Sequence, residues 1–135
     1  MQGGLPKSGL SLGKAASASI TVDESNTAKA MQSGSLPVFA TPAMIALMEQ
    51  AACECLADFL TDGQTSVGSS INVEHMAASP LGATITATAT IDFVSGRRID
   101  FTVTAADDTG EIGKGKHSRV IVDADRFIKK AGTRI

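Results

Sequence analysis

Hydrophobic and polar positions change their period twice along this chain, and those changes mark out its elements. Residues Met1 to Ala16 show no sustained pattern and are expected to be a flexible lead-in, with one domain over 17–135. The β-branched run Ala18-Ser19-Ile20-Thr21-Val22 predicts a first strand. Asp23 to Leu36 is polar and irregular, suited to covering a site. Pro37 to Pro42 then leads into a helical pattern ending near Asp62-Gly63, with Thr41 as candidate N-cap and Pro42 in the first helical position. Apolar residues Met44, Ile45, Leu47, Met48, Ala51, Ala52, Cys55, Leu56 and Phe59 cover most of that helix's circumference, so it must be wrapped on several sides.

Beyond Gly63 the period becomes two, and Ser66–Met76, Thr84–Val94, Arg97–Ala106 and Glu111–Asp123 predict four successive strands. Thr84, Thr86, Thr88 and Thr90 alternate with Ile85, Ala87, Ala89 and Ile91; short turns at Ser95-Gly96 and Asp107-Asp108-Thr109-Gly110 link the later strands. The order implies an α+β domain in which an antiparallel five-stranded sheet curls around one long central helix. One small sheet covers such a helix poorly, so a second copy is expected to complete the cover as a homodimer or higher homo-oligomer.

Composition narrows the function classes. The chain has 135 residues, no Trp or Tyr and a net charge of -2, leaving neither aromatic platforms for bases nor a general field for nucleic acid or an anionic membrane. No uncharged apolar run is long enough to span a bilayer, and a cytoplasmic protein is expected. Cys53 and Cys55 diverge by about 200° around a helix, which fits packing and not a disulfide. With only His75 and His117 besides carboxylates, metal-ligand spacing is poor and no metal is expected.

Candidate chemistry begins with Glu49, the only formally charged residue between Lys29 and Glu54. It shares a helical stripe with Ile45, Ala52 and Leu56. A carboxylate in apolar surroundings needs a partner or gains proton affinity; acid-base work and a structural ion pair both fit. In the next strand, strict alternation places His75 with Val67, Ser69, Ile71 and Val73, opposite Gly68, Ser70, Asn72 and Glu74. If that face packs on the helix, His75 and Glu49 meet in a dry place, as catalysis requires; a core histidine bonded to backbone is the plain alternative. Thr41 stands at a helix N-terminus, where backbone N–H groups favour negative charge, but lies roughly 12 Å along the axis from Glu49. Contact between them calls for a site assembled from two chains.

Gly110 to His117 nearly forms a phosphate loop, yet His117 stands where Ser or Thr should bind magnesium and a strand follows where a helix is needed. A nucleotide triphosphatase is thereby excluded. Gly113, Lys114, Gly115, Lys116 and Arg119 could meet the phosphates of a carrier such as coenzyme A, or the lysines could simply protect an edge strand. Arg97-Arg98 is equally open.

Val38-Phe39-Ala40-Thr41, Leu47-Met48-Glu49, Ser66-Val67-Gly68, His75 and Gly113 to Arg119, taken in order, resemble the fluoroacetyl-CoA thioesterase-like family of hotdog-fold proteins. The resemblance implies a hotdog fold, a dimer joining two sheets, and hydrolysis of an acyl-CoA thioester by Thr41, Glu49 and His75. It implies no cofactor, coenzyme A being part of the substrate. Glu49 would act as nucleophile or as base on water, His75 would move protons, Thr41 would orient them, and Gly68 would lie near the acyl carbonyl. Lys114, Lys116, His117 and Arg119 are the remaining candidates for holding substrate. Asp23 to Leu36 lacks an aromatic residue to close tightly over a very small acyl group, so a broader short-chain thioesterase is expected rather than a fluoroacetyl specialist. A hydratase or dehydratase acting on a thioester, and a non-catalytic acyl-CoA binding module, share the same fold and remain open alternatives.

Overall fold

The computed structural model describes residues 10–135. Strand β1 (Ala15–Thr21) is followed by helix α1 (Thr41–Leu56), strands β2 (Gln64–His75), β3 (Thr84–Ser95), β4 (Arg98–Asp107) and β5 (Gly110–Asp123), and a terminal helix α2 (Ala124–Gly132). The five strands form one antiparallel sheet in the order β1-β3-β4-β5-β2. The sheet wraps α1, giving the hotdog architecture that the sequence predicts.

Alternation in the strands explains the wrapping. Ile85, Ala87, Ala89 and Ile91 of β3, and Ile99, Phe101, Val103 and Ala105 of β4, are buried against the helix. The intervening threonines face outward, where Thr86 and Thr88 hydrogen-bond Ser19 and Ser17 of β1 at 2.8 Å each. On α1, Met44, Leu47, Met48, Ala51, Ala52, Cys55 and Leu56 are buried. Small residues on both surfaces, Ala51 and Ala52 on the helix and Ala87 and Ala89 on the sheet, let the two backbones approach closely. The helix leans toward β1 and β3, which leaves the concave face under β5 and β2 more open.

Several boundaries differ from the sequence reading. Leu10 packs against the core, Gly13 and Lys14 exchange backbone hydrogen bonds with Ile91, and the Lys14 ammonium bonds the Cys55 carbonyl at 3.1 Å. The chain is therefore pinned before Ala16; the rest of the expected lead-in, 1–9, lies outside the described residues. The helix ends at Leu56 instead of Asp62, because its last turn tightens into a 3₁₀ turn over Ala57–Phe59. The N-cap is Ala40 rather than Thr41, with no side-chain cap, since the Thr41 hydroxyl is engaged elsewhere. Helix α2 is not predicted by the sequence pattern, being short and without a buried residue.

The segment between β1 and α1 is tied down at both ends. Thr27 bridges to Phe39, Val38 to Pro80, and the buried Asn26 amide donates to the Thr21 carbonyl at 3.0 Å. It thus forms a fitted cover over one end of the helix.

Candidate active site

Strand β2 decides which side chains reach the helix, and it does so through one irregularity. Its register against β5 shifts between Gly68 and Ser70, leaving Ser69 as an extra residue. An extra residue inverts the alternation. Beyond the bulge, Ile71, Val73 and His75 face inward, opposite His117, Gly115 and Gly113 of β5. Before it the inward set is Ser66 and Gly68, opposite Ile121 and Arg119, the reverse of what unbroken alternation predicts.

Around Glu49, on the middle of α1, three of these elements converge. Its Oε2 accepts a charge-assisted hydrogen bond from Arg119 Nη1 at 3.2 Å and lies 4.0 Å from His117 Nε2. A Cβ placed on Gly68 would stand 2.7 Å from the same oxygen. The absence of a side chain at Gly68 therefore keeps open the space in front of the carboxylate, whose side chain retains 41% of its exposure.

Arg119 is immobilised on all sides. Its Nε donates to Ser66 Oγ at 2.8 Å, Nη2 to the Ser66 carbonyl at 3.0 Å, and Nη1 also reaches His117 Nε2 at 3.2 Å. His117 Nδ1 lies 2.7 Å from the Ser70 carbonyl, which can only accept, so Nδ1 carries the proton and Nε2 is the acceptor that Arg119 needs. Burial pushes the His117 pKa below its ordinary value, with the Ser70 bond opposing, and the ring stays neutral. Neutral His117 thus aims a permanent cation at Glu49.

Thr41 and His75 form a second cluster. Thr41 Oγ1 and His75 Nδ1 are 2.8 Å apart, while His75 Nε2 is buried without a hydrogen-bond partner. Burial lowers the His75 pKa, which keeps the imidazole able to take a proton near neutrality. Beside this pair is a cavity of about 260 Å³, lined in part by Ala28, Ser33, Val38 and Phe39. The cover between β1 and α1 therefore lines this cavity, Ala28 and Ser33 contributing only small side chains beside Val38 and Phe39.

Two expectations need correction. His75 and Glu49 do not meet within this chain: Glu49 pairs with Arg119 and His117, and His75 stands seven positions beyond Gly68 on β2, roughly 23 Å of extended strand. Nor do Lys114 and Lys116 share the site with His117 and Arg119. The pleat of β5 turns the lysines outward, where Lys116 bonds Asp92 at 3.1 Å and Thr102 at 2.8 Å, while His117 and Arg119 turn inward. Ser66 and the Ser70 carbonyl, which hold Arg119 and His117, are partners that sequence reasoning missed, because the bulge between them resets which side chains face inward.

Known proteins resemble this chain in sequence and in fold. The model of a family described as fluoroacetyl-CoA-specific thioesterase matches residues 22–125. A fluoroacetyl-CoA thioesterase from Streptantibioticus cattleyicolor is 43% identical over 93 residues, 69% of this chain and 67% of that protein. A crystal structure of a mutant of the fluoroacetyl-CoA-specific thioesterase FlK superposes with a TM-score of 0.90 at 33% identity, covering 96% of this chain and 100% of that one. A second FlK structure, in complex with fluoroacetate and CoA, gives 0.82 at 34% identity over 87% of this chain and 98% of that one.

Proposed function

Because the chain belongs to the fluoroacetyl-CoA-specific thioesterase family, we propose that it hydrolyses a short-chain acyl-CoA thioester to the free acid and coenzyme A. Thr41, Glu49 and His75 are the catalytic residues, and Gly68, His117 and Arg119 form the wall beside the thioester. The observation that carries this reading is the Glu49 carboxylate, held from one side by Arg119 and opening on the other toward the side-chain-free Gly68. A carboxylate so placed can attack the thioester carbonyl, or take a proton from the water that does. On the water route the proton that Glu49 takes passes through His75, neutral and backed by Thr41, to the departing thiolate; after direct attack, His75 takes the proton of the water that cleaves the acyl anhydride and gives it to the thiolate.

The two clusters act together in a homodimer joined along β2. This strand lies at one end of the sheet order, so one of its sides has no strand partner within the chain. Antiparallel pairing of two β2 strands about a two-fold axis near Ile71 runs the Gly68 end of one strand beside the His75 end of the other. Glu49 of one protomer then faces Thr41 and His75 of its partner. Water and the chain's own side chains suffice for the reaction. A reducing cytoplasmic setting fits the free thiols Cys53 and Cys55; no described helix is long and apolar enough to cross a membrane.

The small residues Ala28 and Ser33 around the cavity favour acyl groups from two to about four carbons over exclusive recognition of the smallest. Thiol release from acetyl-, propionyl- and butyryl-CoA tests the activity. Glu49→Gln is expected to lower kcat by about 10²–10⁴-fold, the range of general acid-base catalysis. Full turnover in that variant would remove Glu49 from the chemistry. Enoyl-CoA turnover without thiol release would move the protein to the hydratases.

A further inference from the structure

The sheet face that carries Arg119 contains no lysine to hold the phosphates of coenzyme A, and the outward Lys114 and Lys116 are on the wrong side. A different cationic surface stands at the end of the same strand. Residues 124–135 hold Arg126, Lys129, Lys130 and Arg134 against one acid, Asp125, in a chain whose net charge is -2. All four cations are exposed; Arg126 pairs with Asp123 at 3.4 Å, and the other three have no ion pair among the described residues.

Within this segment, Phe127, Lys130, Ala131 and Arg134 follow the i, i+3, i+4, i+7 spacing of one helical face. Together with Thr133 they line a hollow of about 370 Å³. Phe127 retains 41% of its exposure there, leaving a free aromatic surface beside two cations and a hydroxyl. That set of groups matches an adenosine phosphate: a purine ring stacks on an aromatic face, and a phosphate draws guanidinium and ammonium groups.

Reach agrees. From Arg119, which touches Glu49, to Asp123 at the end of β5 is four residues, about 13 Å of strand. The pantetheine arm from sulfur to the first phosphorus is roughly a dozen bonds, about 15 Å when extended at the rise of a polypeptide. A thioester at Glu49 therefore delivers its nucleotide to the neighbourhood of α2.

Resting on the thioesterase reading, we propose that Phe127 and Lys130 of α2, with Arg134 of the turn that follows it, bind the 3′-phosphoadenosine end of coenzyme A. The pairing of Asp123 with both Arg97 and Arg126 fixes the start of the helix and holds this face beside the end of the sheet.

Calorimetric binding of CoA and of 3′-dephospho-CoA to the full chain tests the proposal, alongside thiol-release kinetics. Lys130→Glu/Arg134→Glu is expected to raise the CoA dissociation constant by about tenfold or more, and to erase the preference for CoA over its dephospho form. The acetyl-CoA to acetyl-pantetheine ratio of kcat/KM falls with it. An unaltered dissociation constant, loss of the ratio only in Lys114→Glu/Lys116→Glu, or a change in oligomer mass in the α2 variant would each overturn the proposal, as would failure of the unaltered protein to bind CoA. If CoA binds through α2 and no thioester is hydrolysed, the clamp stands and the thioesterase assignment falls.

Discussion

At the scale of single residues, the candidate site depends as much on an absent side chain as on those present. Gly68 faces Glu49, His117 and Arg119, and a Cβ there would come within 2.7 Å of the carboxylate and 3.3 Å of the imidazole. The Glu49 side chain can swing away, because it is the end of a flexible and partly exposed chain. Gly68→Ala should therefore leave the fold within about 1 kcal/mol of the parent while displacing the reacting carboxylate, lowering kcat/KM by about 10²-fold. Denaturant titration and thiol-release kinetics on the same sample separate the two effects. Parent-like kinetics in a normally folded variant would show that this space is not used by substrate. Arg119 is fixed independently of that carboxylate: three hydrogen bonds tie it to Ser66 and His117, so its charge costs little reorganisation when Glu49 reacts.

Elements show where one-dimensional patterning succeeds and where it stops. Strands β3 and β4 were legible because each keeps its alternation through the buried stretch, and the helix because Pro42 and a run of apolar residues mark its start. Glu49 was visible as a charge in that apolar helix, His75 as a polar member of the apolar face of β2, and Thr41 by its place at the helix start. The inward turn of Gly68 was not, since a bulge is a property of the pairing of two strands and leaves no mark in the period of either. Basic α2 escaped for a different reason: its order rests on Asp123 and on the Ala124 N–H bonding Gly63, not on a buried face. The contact of β2 with β5 yields a stability prediction. A Cβ on Gly115 would lie 2.6 Å from Val73 Cα, against backbone that cannot yield without breaking the ladder. Gly115→Ala should cost about 1–3 kcal/mol, read as a lower denaturation midpoint. An unchanged midpoint would mean that the edge strand adjusts freely.

For the molecule as a whole, two histidines, His117 buried and His75 half-buried, couple its stability to pH. His75 and His117 both have pKa values depressed by burial from the ordinary 6.5. Between the folded and unfolded values the unfolded chain binds more protons, so stability rises with pH through that window and is lost as pH falls below about 6.5. Thermal melts from pH 8 to 5 should show the midpoint descending below about 6.5. His117→Asn, which keeps a donor toward Ser70, should flatten the slope. A slope untouched by replacement of either histidine would assign the acid sensitivity to other groups.

The wide spacing of Gly68 and His75 on one strand carries an algebraic consequence for mixtures. If each working centre takes Glu49 from one protomer and His75 from the other, a Glu49→Ala homodimer and a His75→Ala homodimer are both dead, yet a hybrid of the two has one intact centre and one doubly damaged one. Subunit exchange between equal amounts of the two inactive proteins should then restore about a quarter of the parent rate, half the dimers being hybrids with half their centres working. Centres confined to single protomers would return nothing at any mixing ratio.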